Sequence, residues 1–332
     1  MTVGLNVRFY PNWFHAEYGM TFGRRYAQDL DYRVALGMEQ QRLVAQRFGN
    51  PRLGAAEPSP EPNLPAIWKN VVAVMFGARL NHRDEDDGWI EPGEVSLEQI
   101  AAAKVPDVEN DPHVVEIVRQ AKAFESQHGP AVWNPGIDGV LNVAAAVCGE
   151  QFFEWLVLEP EAASRFLAAL RETSLRLHEH MRKLCGHPAP MGLGNCSLCM
   201  IRPELYLQAV MPHDLPWCRR AEELGLPFGF HMDGKIDRYL DVIATFPHLS
   251  RVDMGCDSDI ALARRVLGDR TLRIYLYPHA LEELGASQIG DYLAKLIAAN
   301  GDGPIVLQLD VSRGMRDETV AAVVEFAAER GA

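Results

Sequence analysis

The run Leu226-Pro227-Phe228-Gly229-Phe230, followed at once by His231-Met232-Asp233-Gly234, decides the fold. A short apolar run of this kind reads as a buried strand. A histidine and an acid two residues apart stand just past its C-terminal end, where α/β barrels gather their chemistry. The theme repeats downstream. Arg251-Val252-Asp253-Met254 is a second short strand, and Gly255-Cys256-Asp257-Ser258-Asp259 follows it with a glycine and polar groups. Two neighbouring strand ends that deliver His231, Asp233, Asp253 and Cys256 point to an enzyme site.

Working outward, strands and helices alternate. Toward the C-terminus, Leu272 to Leu276 and Pro304 to Leu309 read as strands. Helices over Ile236 to Phe246, Asp259 to Leu267, Ser287 to Ala299 and Asp317 to Arg330 separate and follow them. Toward the N-terminus, Pro190 to Asn195, Ala131 to Asn134 and Val71 to Phe76 read as strands. Pro203 to Leu224, Pro160 to Cys185, Gly149 to Leu156 and Asp111 to Ser126 read as helices, and Asn81 to Gly88 as a charged loop. Such alternation argues a parallel sheet. The strand count approaches eight, so the expected fold is α/β, a (β/α)8 TIM barrel. A doubly wound sheet fits the same pattern, but no glycine-rich dinucleotide fingerprint follows any strand. Residues 1 to 50 are expected to be helical, with Asp31 to Phe48 as one helix. Arg52 to Pro65, with Pro58, Pro60, Pro62 and Pro65, is expected to be an extended linker. The expected organisation is an N-terminal helical extension and linker over 1–63 and a barrel domain over 64–332.

Composition bounds the function classes. The chain has 332 residues, 48% of them hydrophobic, enough for a packed core. Thirty-two Lys and Arg against 45 Asp and Glu give a net charge of −13, which argues against nucleic acid and anionic membranes as principal partners. No stretch approaches the length of a membrane span, and Met1 to Tyr10 lacks the form of a signal peptide. The six cysteines are not spaced as a disulfide framework, so the expected compartment is the cytoplasm.

Several residues carry candidate chemistry. On an extended segment the side chains of His231 and Asp233 point the same way. They read as a ligand pair for zinc or another divalent metal, or as a hydrogen-bonded pair in a polar pocket. Asp310, after the last strand, reads as a cap for the loop before the closing helix. Cys196-Ser197-Leu198-Cys199 is a C-x-x-C, read as a redox pair, half a zinc site, or plain lining cysteines. Asp253 lies inside a largely apolar strand, where an acid is costly unless partnered or used. It reads as an acid/base group or as a structural acceptor. Asn195, Cys196, Asp257, Tyr275 and Tyr277 fall on the same rim.

The stretch from His231 to Asp259 resembles the uroporphyrinogen decarboxylase superfamily, in particular its methyltransferase-like branch of methylcobamide:thiol methyltransferases. That branch commonly carries His-x-Cys-Gly at this strand end, with the histidine and cysteine binding zinc. Here the motif is His-Met-Asp-Gly, with Asp233 in the cysteine's place. Leu64 to Trp89 is similar to the family's early strand and gated loop. Trp133 to Asn142, Phe152-Phe153 and Glu159-Pro160-Glu161 resemble its glycine, strand, helix and acid-proline-glutamate block. Gly194-Asn195-Cys196 with Pro203 and Tyr206 resembles the next barrel segment. The aromatic cluster Trp13, Phe14, His15 and Tyr18 falls where the superfamily closes over its barrel mouth.

The resemblance implies methyl transfer between a small molecule or thiol and a corrinoid of the cobalamin type, carried by a partner protein. It implies a metal at His231, Asp233 and Asp310, and catalytic roles for Asp253 and His231. Asn195, Cys196, Asn134, Asp257 and Tyr277 would surround the substrate. Uroporphyrinogen decarboxylase proper grips substrate carboxylates with an N-terminal RQAGR motif. Residues 1 to 50 have no such motif, so uroporphyrinogen is not the expected substrate. Two alternatives stand beside methyl transfer. One is a decarboxylase or lyase on a small carboxylated substrate, with Asp253 as proton donor. The other is a metal-free barrel that binds a small molecule.

Overall fold

Six strands form one parallel sheet in the order β1-β8-β7-β6-β5-β4. The computed structural model describes residues 3–61, 70–131, 138–185 and 191–331. Its first half runs β1 (Val3–Phe9), α1 (Pro11–Tyr18), α2 (Arg24–Gln28), α3 (Leu30–Phe48), α4 (Val71–Met75), β2 (Arg79–Asn81) and β3 (Trp89–Glu91). There follow α5 (Leu97–Ala101), α6 (Pro112–His128), α7 (Val140–Cys148), α8 (Gln151–Leu158) and α9 (Pro160–Cys185). The second half runs β4 (Met191–Gly194), α10 (Pro203–Leu205), α11 (Met211–Glu223), β5 (Phe228–His231), α12 (Leu240–Ala244) and β6 (Leu249–Gly255). It closes with α13 (Ile260–Leu267), β7 (Thr271–Leu276), α14 (Pro278–Leu281), α15 (Ala286–Asn300), β8 (Ile305–Val311) and α16 (Asp317–Ala328).

Side chains alternate across each strand, and the two faces of the sheet differ in kind. One face presents Phe228 and Phe230, Val252 and Met254, Leu272, Ile274 and Leu276, then Ile305, Leu307 and Leu309, all buried in the main core. Burying each such side chain contributes about 1.5–3 kcal/mol. The other face presents His231, Arg251, Asp253, Arg273, Tyr275, Gln308, Asp310, Asn6 and Arg8. Helix starts are set locally. Asp259 accepts from the Leu262 N–H at 2.8 Å to open α13, and Asp111 with Pro112 opens α6.

Three expectations change. Val3–Phe9 is a strand, not part of a helix, and pairs with β8 from Val3↔Ile305 to Phe9↔Val311. The alternation of Val3, Leu5, Val7 and Phe9 with Gly4, Asn6 and Arg8 has the period of a strand. The sheet therefore begins inside residues 1–63. Val71 to Phe76, expected as a strand, forms helix α4 with Val71, Val72 and Ala73 buried. A short apolar run does not separate a buried helix from a buried strand by periodicity. Third, among the described residues the sheet does not close into a full barrel. The free side of β4 carries a parallel bridge from Gly194 to Asp138. The strand expected over Ala131 to Asn134 lies, apart from Ala131, outside the described residues. Asn81 to Gly88 joins β2 and β3 as an antiparallel hairpin. Among the described residues no single helix is long and apolar enough to cross a membrane.

Candidate active site at the ends of β4, β5 and β6

His231 is the last residue of β5, and its backbone carbonyl accepts from the Asn195 N–H at 2.7 Å. This bond locks the end of β4 to the end of β5. Imidazole Nδ1 lies 3.2 Å from Asp253 Oδ2, and the ring meets Tyr275 edge-on at 5.1 Å between centroids. With Nδ1 held by a carboxylate, Nε2 is the nitrogen left to turn toward a ligand.

Asp253 is almost fully buried, and its oxygens are occupied. Arg251 Nε donates to Oδ1 at 2.8 Å, while His231 and, at 3.7 Å, Arg273 Nη1 share Oδ2. With its oxygens engaged, Asp253 is placed to hold and orient His231.

Cys196 follows β4 and opens a tight 3-10 turn over Cys196–Met200. The Ser197 N–H of this turn donates to Asn142 Oδ1 at 2.8 Å, and Tyr239 Oη donates to the Leu198 carbonyl at 2.5 Å. Burial, and after it a hydrogen bond to Asp233, pushes the Cys196 thiol up to about 12. Ligand atoms of Cys196, His231 and Asp233 all lie within 4.8 Å of one another. Among the described residues this is the grouping able to hold a metal ion.

The expected third ligand, Asp310, is not in that group. Its carboxylate accepts from Arg8 Nη2 at 2.8 Å, from Tyr10 Oη at 3.0 Å and from Gln308 Nε2 at 2.6 Å. Three donors already hold it, and the third member of the grouping is Cys196, which had been read as a substrate-lining residue.

Asn195 is also corrected. Its side chain is fully buried and turned away from the rim, with Nδ2 donating to Asp214 Oδ2 at 3.1 Å. Asp214 also accepts from Tyr206 Oη at 2.9 Å and the Val140 N–H at 3.2 Å, and burial raises its pKa to about 6. Asn195 thus anchors the strand end instead of meeting a ligand.

Tyr277 and Asp257 do belong to the rim. A methyl group on Gly255 would run into the Tyr277 hydroxyl and Asp257 Oδ1, so glycine is what lets both approach. The Tyr277 pKa is raised, first by burial and then by Asp257, Asp233, Cys256 and Cys196, so its hydroxyl keeps its proton. Asn134 lies outside the described residues. Sequence reasoning missed Arg8, Arg251 and Arg273. The signal was present in the strands themselves, as arginines alternating with apolar residues.

No protein-family model matches the chain, and no curated protein matches it in sequence. In structure it is similar to a methyltransferase from Methanosarcina mazei, with a TM-score of 0.68 and 14% identity, covering 100% of this chain and 94% of that one. A D-psicose 3-epimerase with D-tagatose from Clostridium cellulolyticum H10 aligns over 81% of this chain and 91% of its own at a TM-score of 0.31 and 12% identity, too slight a likeness to bear on the fold. The chain shares the α/β fold of the Methanosarcina methyltransferase, in agreement with the resemblance carried by the motifs around His231.

Proposed function

We propose that the chain is a metal-assisted methyltransferase of the uroporphyrinogen decarboxylase-like kind, working at the C-terminal ends of β4 to β6. The observation that carries this reading is the mutual approach of Cys196, His231 and Asp233 within 4.8 Å. Thiolate, imidazole and carboxylate are a donor set that suits zinc, and three protein ligands leave a position for a reactant, as catalytic sites require. The fold likeness to a methyltransferase supports the same class. The reading includes a closed (β/α)8 barrel, supported by the Gly194–Asp138 bridge beyond β4 and by a fold likeness spanning the whole chain.

A bound zinc ion supplies Lewis acidity that lowers the pKa of a substrate thiol. Cys196, His231 and Asp233 would hold it. Asp253 fixes the tautomer and tilt of His231, as acidic partners of metal-binding histidines do. Tyr277 keeps its proton and would donate a hydrogen bond to a ligand at the rim. A methylated corrinoid would supply the methyl group and would keep the carbon–cobalt electron pair, while the substrate sulfur would take the methyl in place of its proton, lost to solvent. The corrinoid would be carried by a separate protein in the cytoplasm.

The test is direct. Zinc-loaded protein is mixed with free methylcobalamin and a small thiol. The expected result is loss of methylcobalamin matched by thioether formation. No transfer by protein shown to hold zinc, or release of carbon dioxide from a small acid instead, overturns the reading.

A further inference from the structure

We infer that the polar face of the sheet holds a carboxylate-binding subsite centred on Arg273, so that the substrate of the rim site is a small carboxylic acid. The inference rests on the functional reading only for the ligand's other end, which would reach Cys196, His231 and Asp233.

Three observations carry it. First, Arg273 is under-partnered. Its Nε is enclosed and meets no acceptor among the described residues. Among the described residues its charge contact is Nη1 to Asp253 Oδ2 at 3.7 Å, beyond hydrogen-bond reach, and that oxygen is already engaged by His231. A guanidinium keeps its charge, and an enclosed donor without an acceptor is costly.

Second, the charges within strands β1, β6, β7 and β8 do not cancel. Arg8, Arg251 and Arg273 stand there against Asp253 and Asp310, each of which already has its own arginine at 2.8 Å. Among the described residues of these strands, Arg273 is the cation left over. A single excess cation with a forked donor suits a monoanionic carboxylate. A phosphate dianion beside Asp253 and Asp310 would leave negative charge in excess.

Third, this face is open to a ligand. Side chains that point into it stay accessible, with Arg8 54% exposed and His231 28% exposed. Tyr275 stands two residues beyond Arg273 on the same face of β7, with its ring against His231, and its hydroxyl offers a second hydrogen-bond donor beside Arg273. His231 touches both Asp253 and Tyr275, so one side chain separates the carboxylate subsite from the metal-compatible rim. A short-chain acid spans that gap.

The experiment is calorimetric titration of the full chain, with and without zinc, using 3-sulfanylpropanoate and its neutral amide. The acid is expected to bind at least about tenfold more tightly than the amide, the ratio that corresponds to about 1.4 kcal/mol. Arg273→Gln should bring the two ligands within about twofold, and Arg273→Lys should fall between. Tyr275→Phe should lower acid affinity alone, by a few-fold, and guards against a folding defect in the arginine variants. Equal affinities in the wild type, discrimination that survives in Arg273→Gln, or no binding of either ligand overturns the inference. Discrimination in a protein that takes up no zinc sinks the methyl-transfer reading and leaves the subsite standing. Zinc uptake without discrimination does the reverse.

Discussion

The rim at the ends of β4 and β5 and the ladder across β6, β7, β8 and β1 lie on one face of one sheet, yet they are opposite in chemistry. The rim collects a thiol and acids. Cys196, Asp233 and His231 come together there, with Asp138 and Asp257 close enough to shift the neighbouring thiol and phenol. The ladder collects guanidinium groups on Arg8, Arg251 and Arg273. One end suits a cation and the other an anion. Such a division fits a ligand with two unlike ends, held by charge at one and presented for reaction at the other. The Asp253 carboxylate joins the regions, because it bonds His231 on one side and Arg251 on the other, with Arg273 3.7 Å away.

The comparison breaks most completely at Cys196. Cys196→Ser should lower zinc affinity by about a hundredfold or more, since it removes the soft ligand of a three-ligand set. The fold should survive, because Cys196 is only partly enclosed and the turn is held by Asn142 and Tyr239. Competition against a chromophoric chelator measures the affinity, and zinc affinity equal to the wild type would mean that the rim is not a metal centre. Asp253→Asn should have the next largest effect, about 10- to 100-fold in zinc affinity, the range for lost orienting partners of metal-binding histidines. It also leaves Arg251 and Arg273 facing a neutral amide, so a drop in unfolding temperature should accompany it. Metal affinity unchanged with stability lowered would assign Asp253 to the ladder alone.

Much of the rim was legible in the sequence, and little of the ladder. His231, Asp233 and Cys196 follow short apolar runs, and in a parallel sheet the ends of neighbouring strands meet. That rule needs no knowledge of pairing partners. The ladder needs it. Asp310 looked free for a metal because its partner Arg8 is 302 residues away, on a first strand that had been read as helix. Arg273 sits between Leu272 and Ile274, and an arginine in such a strand reads as solvent-facing until the sheet curves its polar face inward. Asn195 failed for a related reason. Its position at a strand end was right, but Asp214 on α11 draws its side chain to the other side.

That buried acid gives the smallest expected effect on the rim and the sharpest test of its support. Asp214 is enclosed behind β4, and its carboxyl is raised from the ordinary 3.8 to about 6 by burial, despite three donors. A carboxyl with a raised pKa binds its proton more tightly in the folded chain. Its contribution to stability is therefore greatest at low pH and is lost as pH rises from about 4 through 6. The loss is on the order of 3 kcal/mol for a change of this size. Asp214→Asn should abolish that slope. The new amide oxygen can still accept from the Val140 N–H, while its nitrogen, in the Oδ2 place, can donate to Tyr206 Oη and, once the Asn195 amide flips, to Asn195 Oδ1, which is buried without a partner among the described residues. Denaturant unfolding at intervals from pH 4 to pH 7 compares the two proteins, and other titrating groups cancel in the difference. Wild type should lose stability relative to the variant across that range, while zinc affinity at pH 7 changes by no more than a few-fold. Parallel profiles would show that Asp214 carries its charge throughout. A large fall in zinc affinity would show instead that the anchor behind β4 sets the position of Cys196 as firmly as Asp253 sets His231.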